Sequence, residues 1–153
     1  MQGPASTEEL LQFERLVSAL SAAFINMPAS NIEAAIADAL QRIVEALRVD
    51  RSTLSIVVRD GDWLETYHSW AVDGVQPVPK GVLPIALPWA LARARAGLPI
   101  VFSRLEDLPP EARVERAWYG RHGLRSHVGL PVIVAGELIA ILGFGVLHSE
   151  RTW

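Results

Sequence analysis

The chain has 153 residues, 50% hydrophobic and 20% charged, a composition typical of one soluble globular domain with its own core. The formal net charge of -3 argues against an extended nucleic-acid surface, and the absence of cysteine excludes disulfides, thiolate metal sites and cysteine nucleophiles. No apolar run reaches the roughly 18 residues of a membrane span and no secretory signal is visible, so we expect a cytoplasmic domain without membrane insertion.

The N-terminal part predicts two helices. Residues 1–5 are expected to be a disordered lead, with a single domain over residues 6–153. Beyond Ser6, an apolar seam at helical spacing is formed by Leu10, Phe13, Val17, Leu20, Phe24 and Met27. This seam could pack on the domain's own sheet or pair with the same helix of a second subunit, and it is too short to decide between them. After Pro28, the stripe of a second helix is formed by Ile32, Ile36, Leu40, Ile43 and Leu47.

A β-hairpin is predicted next. Residues Thr53–Arg59 alternate between apolar and polar, a turn follows at Asp60–Asp62, and Trp63–Ala71 returns as the second strand. Strict alternation along that strand would put the side chains of Leu64, Thr66, His68 and Trp70 on one side of the sheet.

Residues 73–125 have a different character. Eight of the ten prolines lie in this stretch or beside it: Pro77, Pro79, Pro84, Pro88, Pro99, Pro109, Pro110 and Pro131. The pattern predicts a short helix over Pro88–Ala96, a short strand at Ile100–Phe102 and another short helix containing Trp118 and Tyr119. Insertions of this length between strands are typical of lids and binding loops.

A second hairpin closes the sequence. Residues 128–134 and 138–146 are two apolar runs separated by Ala135–Glu137. Because both faces of both runs are largely apolar, this hairpin should lie inside a sheet that is covered on its two sides. Grouped antiparallel strands with helices at both faces indicate an α+β fold.

Ser126, Leu130, Pro131 and Val132, followed by residues 136–144, resemble the closing hairpin of the GAF domain family. Residues 49–54 resemble that family's entry to its first strand, and residues 16–51 its leading helices in bacterial sensor histidine kinases and related signalling regulators. The resemblance implies a six-stranded antiparallel sheet (GAF/PAS-like). N-terminal helices would cover one face, and short helices and loops would form a ligand pocket on the other.

The sequence also departs from specialised members of that family. Covalent bilin attachment and free-methionine-sulfoxide reduction both use a cysteine, which this chain lacks, and the Asn-Lys-Phe-Asp-Glu motif of cyclic-nucleotide-binding members is not found. Ala140 stands where the family commonly has glycine. The ligand, or whether there is one, is therefore left unknown. Residues 149–153 resemble the family's link into a final helix, so we expect a sensor domain that is part of a longer protein.

The candidate pocket-lining residues lie in the insertion and where it joins the sheet. They are His68, Trp70, Trp89, Phe102, Trp118, Tyr119, Arg125, Ser126 and His127. Aromatic residues in such positions are more often core anchors than ligand contacts. Arg125 could clamp an anion, although an arginine at a strand start more often forms a surface ion pair. No histidine pair has metal-ligand spacing, and no catalytic or metal-binding residue is assigned.

Three functions remain open on the sequence alone. The domain could be a regulatory sensor that binds a small molecule, a dimerisation module of a transcription regulator with a vestigial pocket, or a small enzyme that uses His68 or His127. The first is preferred, with homodimerisation through the N-terminal helix.

Overall fold

The computed structural model describes residues 28–58 and 60–153 and, before them, Thr7, Glu8, Leu11 and Arg15. The N-terminal lead, the seam from Leu10 to Met27 and the dimer contact predicted for it lie outside the described residues.

Six strands form one antiparallel sheet, which confirms the predicted α+β class. The strands are β1 (Arg51–Val58), β2 (Trp63–Ala71), β3 (Gly81–Val82), β4 (Ile100–Phe102), β5 (Ser126–Val134) and β6 (Glu137–Val146). Their order across the sheet is β3-β2-β1-β6-β5-β4. The two predicted hairpins therefore pair with each other through β1 and β6, which places the closing hairpin inside the sheet.

Helix α1 (Ile32–Leu47) covers one face of the sheet. Its buried residues are Ala39, Leu40, Ile43 and Val44, and Ile43 and Val44 pack in one cluster with Trp70 of β2 and Phe144 of β6. The hydroxyl of Ser52 donates to the carbonyl of Leu40 at 3.0 Å, which fixes the helix to β1. The predicted second helix is thus present. Leu40 and Ile43 of its predicted apolar stripe are buried, whereas Ile32, at the start of the helix, is exposed.

The insertion covers the other face. It contains α2 (Pro88–Arg95), α3 (Arg113–Arg121) and two short 3-10 turns, Leu105–Asp107 and Pro110–Ala112. Leu91 of α2 packs against Ile100 and Ile141 of the sheet, and Tyr119 of α3 packs against Phe102. In the described part of the chain, no helix has the length and apolar character needed to cross a membrane.

A β-bulge in β2 changes which side chains share a face. Leu54 of β1 is paired with His68, but the next residue, Ser55, is paired with Thr66, so Tyr67 is an extra residue. The bulge reverses the alternation beyond Thr66. Leu64 and Thr66 face the insertion, whereas His68 pairs with a residue on the α1 side. The prediction that all four even-numbered residues from Leu64 to Trp70 share one side is therefore wrong.

Candidate functional site

A cavity of about 100 Å³ lies between the sheet and the helices of the insertion. Strands β1, β2, β5 and β6 supply its floor, α2 and α3 supply its roof, and the segment around Val78 and Leu83 supplies part of its wall. Most of the lining is apolar, and its polar side chains come mainly from the floor, namely Arg51, Thr53, Ser55, Thr66 and His127.

The floor has room for His127 because β5 and β6 carry glycines beside it. A Cβ atom at Gly143 would lie 3.0 Å from Cε1 of His127, and one at Gly129 would lie 3.2 Å from its Nε2. Both distances are tighter than ordinary van der Waals contact. The imidazole therefore lies across the glycine backbone, between the sheet and the roof.

His127 is held in a neutral form. Its ring centroid lies 5.2 Å from that of Tyr119 and 5.7 Å from that of Phe102, and its Nδ1 is buried without a hydrogen-bond partner among the described residues. Burial is the main cause that lowers the His127 pKa to about 4, the positive charge of Arg51 adds to it, and a hydrogen bond to the Phe144 backbone opposes it. At neutral pH the ring offers polar atoms without a charge.

Arg51 brings a buried charge to the floor. The residue is only 8% exposed, and its Nη1 donates to the carbonyl of Gln76 at 3.0 Å. Within residues 28–58 and 60–153, no carboxylate forms an ion pair with it. Burial lowers the Arg51 pKa from its ordinary value, but an arginine remains charged in proteins. The guanidinium thus keeps donors that no described side chain uses.

Two threonines of the floor differ in how they are satisfied. Thr53 forms a hydrogen bond of 3.0 Å with the hydroxyl of Ser69, which also accepts from the amide of Val78 at 3.0 Å. Thr66 is 1% exposed, and its Oγ1 has no partner in the described part of the chain. A buried hydroxyl without a partner costs free energy, so Thr66 is a place where a bound molecule could supply the missing hydrogen bond.

A buried carboxylate joins the two roof helices. Glu115 of α3 is fully buried, and its Oε1 accepts from the amides of Trp89 at 2.7 Å and Ala90 at 3.1 Å, in the first turn of α2. Negative charge is favourable at a helix N-terminus, where amides lack helical partners. One turn later, Tyr119 has a raised pKa because of burial and the charge of Glu115, so its phenol is neutral.

The segment after β6 is fixed by residues next to the polar floor. Asp50 accepts from the amides of Leu147 at 2.6 Å and His148 at 3.1 Å. Ser126 accepts from the amide of Arg151 at 2.7 Å, and the Arg151 side chain donates to the carbonyl of Leu47 at the end of α1. Asp50 precedes Arg51 and Ser126 precedes His127, so the contacts that Asp50 and Ser126 make to this exit segment, residues 147–153, are one residue away from a cavity side chain.

The structure brings three of the predicted site residues to the cavity wall: Trp118, Tyr119 and His127. Phe102 is buried behind them, with its ring centroid 5.3 Å from that of Tyr119. Trp89 lies in the roof without lining the cavity, where it packs against the core and contacts Arg93 through its ring.

The other four predicted residues are elsewhere. His68 and Trp70 lie on the α1 face because of the bulge, and Trp70 packs under α1. Ser126 also points away from the cavity and donates to the carbonyl of Ser103 at 2.6 Å. Arg125 is exposed and does not line the cavity.

Sequence reasoning missed Arg51 and Thr66. The signal was present in β1, where Arg51, Thr53 and Ser55 alternate with Ser52, Leu54 and Ile56 and so share one face. A polar row on a strand in the middle of a sheet indicates a site under a cover, since both faces of such a strand are buried.

These features define an α+β domain built around an internal cavity with unpaired polar groups. The chain belongs to the GAF domain family, whose model matches residues 31–153.

A relative among characterised proteins is the methanogenesis regulatory histidine kinase FilI of Methanothrix harundinacea. It is 29% identical over 157 residues, covering 95% of this chain and 17% of the relative. The chain thus spans less than a fifth of that protein's length.

Solved structures with the same fold include light-absorbing domains. The phycoerythrobilin-bound GAF domain of a cyanobacterial phytochrome has a TM-score of 0.74 at 15% identity and covers 94% of this chain and 86% of its own. The blue-light-absorbing form of the PixJ GAF domain of Thermosynechococcus elongatus has a TM-score of 0.64 at 12% identity and covers 98% and 78%. At such identities the likeness establishes the fold alone.

Proposed function

We propose that this chain is the regulatory sensor domain of a cytoplasmic signal-transduction protein, a sensor histidine kinase of a two-component system, and that it binds a small molecule in the cavity under the insertion. The observation that carries the proposal is the cavity itself. Arg51 lines it without an ion-pair partner among the described residues, and Thr66 and His127 line it with buried polar atoms that lack a described hydrogen-bond partner. The similarity to a histidine kinase supports the type of parent protein.

The proposed role is regulatory rather than catalytic. His127 lines the cavity with a pKa lowered to about 4, chiefly by burial, which makes it a weak base at neutral pH. His68 lies on the other face of the sheet. Neither histidine has a nucleophilic side chain among its described hydrogen-bond partners, so neither supports the small-enzyme alternative.

The bonds to the exit segment offer a route for the signal. A ligand that shifts the backbone at Arg51 or His127 would also shift Asp50 or Ser126, and with them the amides of residues 147–151. Coupling follows only if the ligand binds two arrangements of this segment with different affinity. Dimerisation through the N-terminal helix is part of this proposal, because a helical output normally acts between two subunits.

Thermal unfolding with a compound panel tests the proposal. The panel contains nucleotides, amino acids, aromatic acids, neutral amides and haem. A ligand at 100 times its dissociation constant adds about 2.7 kcal/mol, which corresponds to a rise in Tm of about 5–11 °C for a domain of this size. Ala90→Leu is the matched variant, because Ala90 is buried in the roof and lines the cavity, so a larger side chain there should abolish the rise.

Two results would count against the proposal. One is a panel in which no compound raises the Tm, which would favour a module that only dimerises. The other is a rise that Ala90→Leu leaves intact, which would place the ligand outside the cavity.

A further inference from the structure

The charges around the cavity are unbalanced. Arg51 is a permanently charged group in the lining, and no aspartate or glutamate lines the cavity in the part of the chain that the structure describes. Glu115 lies behind the roof, where its Oε1 is engaged by the first amides of α2. His122 is exposed and its Nδ1 lies 2.8 Å from the carbonyl of Trp118 in its own helix. An occupant of this cavity therefore meets a cation on the floor and no anion.

Arg51 is also under-used as a donor. A guanidinium has five N–H donors, and the described contact at Arg51 is the one from Nη1 to the Gln76 carbonyl. A buried cation without a counter-ion is costly, since the loss of hydration is not offset by an attractive charge. A carboxylate would offset that loss, because its two oxygens match two parallel guanidinium donors.

The rest of the lining determines the size and the apolar character of a ligand that the cavity can hold. Apart from the polar floor, the walls are formed by aliphatic and aromatic side chains, such as Leu64, Leu87, Ile100 and Ile141. The volume of about 100 Å³ is of the same order as the roughly 150 Å³ of an engineered cavity that accepts benzene. The apolar body of the ligand should therefore be a short branched chain or a single small ring. The cavity is too small for a nucleotide or a tetrapyrrole.

We infer that the cavity binds a compact monocarboxylate, with the carboxylate on Arg51 and a short apolar body against the aliphatic wall. Thr66 is placed to bond an oxygen of the ligand, since its Oγ1 is buried and unpaired in the described part of the chain. This inference rests on the proposed sensor function and assigns the chemical class of its ligand.

Calorimetric titration with matched pairs of probes tests the inference. The probes are isovalerate and benzoate, their neutral amides, 1-naphthoate as an oversized acid, and inorganic phosphate as a free anion, all at one ionic strength. For at least one pair the acid should bind at least tenfold more tightly than its amide, with no binding of 1-naphthoate or phosphate. This comparison uses the unaltered protein and does not depend on whether a variant folds.

Variants then locate the carboxylate. Arg51→Gln should lower the affinity for the acid at least tenfold. The affinity of Arg51→Lys should lie between those of Arg51→Gln and the unaltered protein, because lysine keeps the charge without the planar fork of donors. Arg125→Gln removes an exposed arginine outside the cavity and should leave the affinity unchanged. Circular dichroism checks that each variant is folded.

Several outcomes would overturn the inference. Equal affinity for acid and amide, full affinity in folded Arg51→Gln, tighter binding of 1-naphthoate, or competition by phosphate would each do so. Binding of a neutral compound with no response to any acid would refute the carboxylate and leave the sensor function standing. Failure of every probe and of the whole compound panel would refute both.

Discussion

Replacing Thr66 by valine should stabilise the domain when no ligand is bound. The two side chains have nearly the same shape, and Thr66 is 1% exposed with an Oγ1 that lacks a partner in the described structure. Leaving such a group unpaired costs about 1–3 kcal/mol, and a buried methyl in its place adds up to about 0.8 kcal/mol. Allowing for partial hydration from the cavity, we expect a gain of about 1–2 kcal/mol, which raises the Tm by about 2–8 °C.

Urea denaturation of both proteins measures this gain, with Thr53→Val as the matched control. Thr53 bonds the hydroxyl of Ser69 at 3.0 Å, so its replacement should destabilise the domain by about 1 kcal/mol. Thr66→Val should also reduce the rise in Tm caused by a ligand that forms a hydrogen bond with the Thr66 hydroxyl. If Thr66→Val is neutral or destabilising while Thr53→Val behaves as expected, the Thr66 hydroxyl is already satisfied and the reasoning about the floor is wrong.

Three further changes test other parts of the site. Burial, with a smaller contribution from Arg51, lowers the His127 pKa in the folded protein from 6.5 to about 4, so the unfolded chain binds a proton first as the pH falls. The free energy of unfolding, measured with urea, should then fall by about 3 kcal/mol between pH 6.5 and pH 4. The His127→Gln variant should not show this fall. If the variant and the unaltered protein have the same dependence on pH, the His127 ring is not buried as described. Gly143→Ala places a Cβ atom 3.0 Å from the His127 ring and should lower the free energy of unfolding in urea by about 1–3 kcal/mol. The control is Gly120→Ala in a helix, where the new Cβ would lie 3.4 Å from the end of a flexible side chain, and this substitution should be neutral or stabilising. Similar effects of the two substitutions would contradict the close approach of His127 to Gly143. Glu115→Ala removes the two hydrogen bonds that Glu115 accepts from the backbone amides of Trp89 and Ala90, and it should lower the free energy of unfolding by about 3 kcal/mol in urea. A loss below about 1 kcal/mol would show that packing alone holds the roof helices.

Much of the fold could be predicted because strand and turn chemistry is local. The second strand, Trp63–Ala71, and the short strand, Ile100–Phe102, have the boundaries that alternation and turn residues indicated. The bulge at Tyr67 was not predictable in this way. A bulge inserts a residue without changing the hydrophobic character of the segment, and its position follows from the pairing with β1, which is a non-local property.

The candidate site was harder to predict, for a related reason. The sequence pattern favoured aromatic residues of the insertion, and Trp118 and Tyr119 do line the cavity. Arg51, however, is at the beginning of a strand, where an arginine is normally exposed, and only the position of β1 in the middle of the sheet buries it. Arg125, at a comparable strand entry, is exposed. Arg51 is the first residue of its strand and lines the cavity, whereas Arg125 lies one residue before β5 begins.

The pleat of β1 explains how neighbouring residues at its start reach both the cavity and the covering helix, next to a contact with the exit segment. Neighbouring residues of a strand point to opposite faces, so Arg51 faces the cavity while Ser52 bonds the carbonyl of Leu40 in α1. Asp50, immediately before the strand, holds the amides of Leu147 and His148. Three consecutive residues thus contact the cavity, the covering helix and the exit segment. Because these residues are consecutive in the chain, a displacement of this short stretch should affect all three contacts. If the proposed ligand binding occurs, we expect the response to depend more on the entry of β1 than on the aromatic roof.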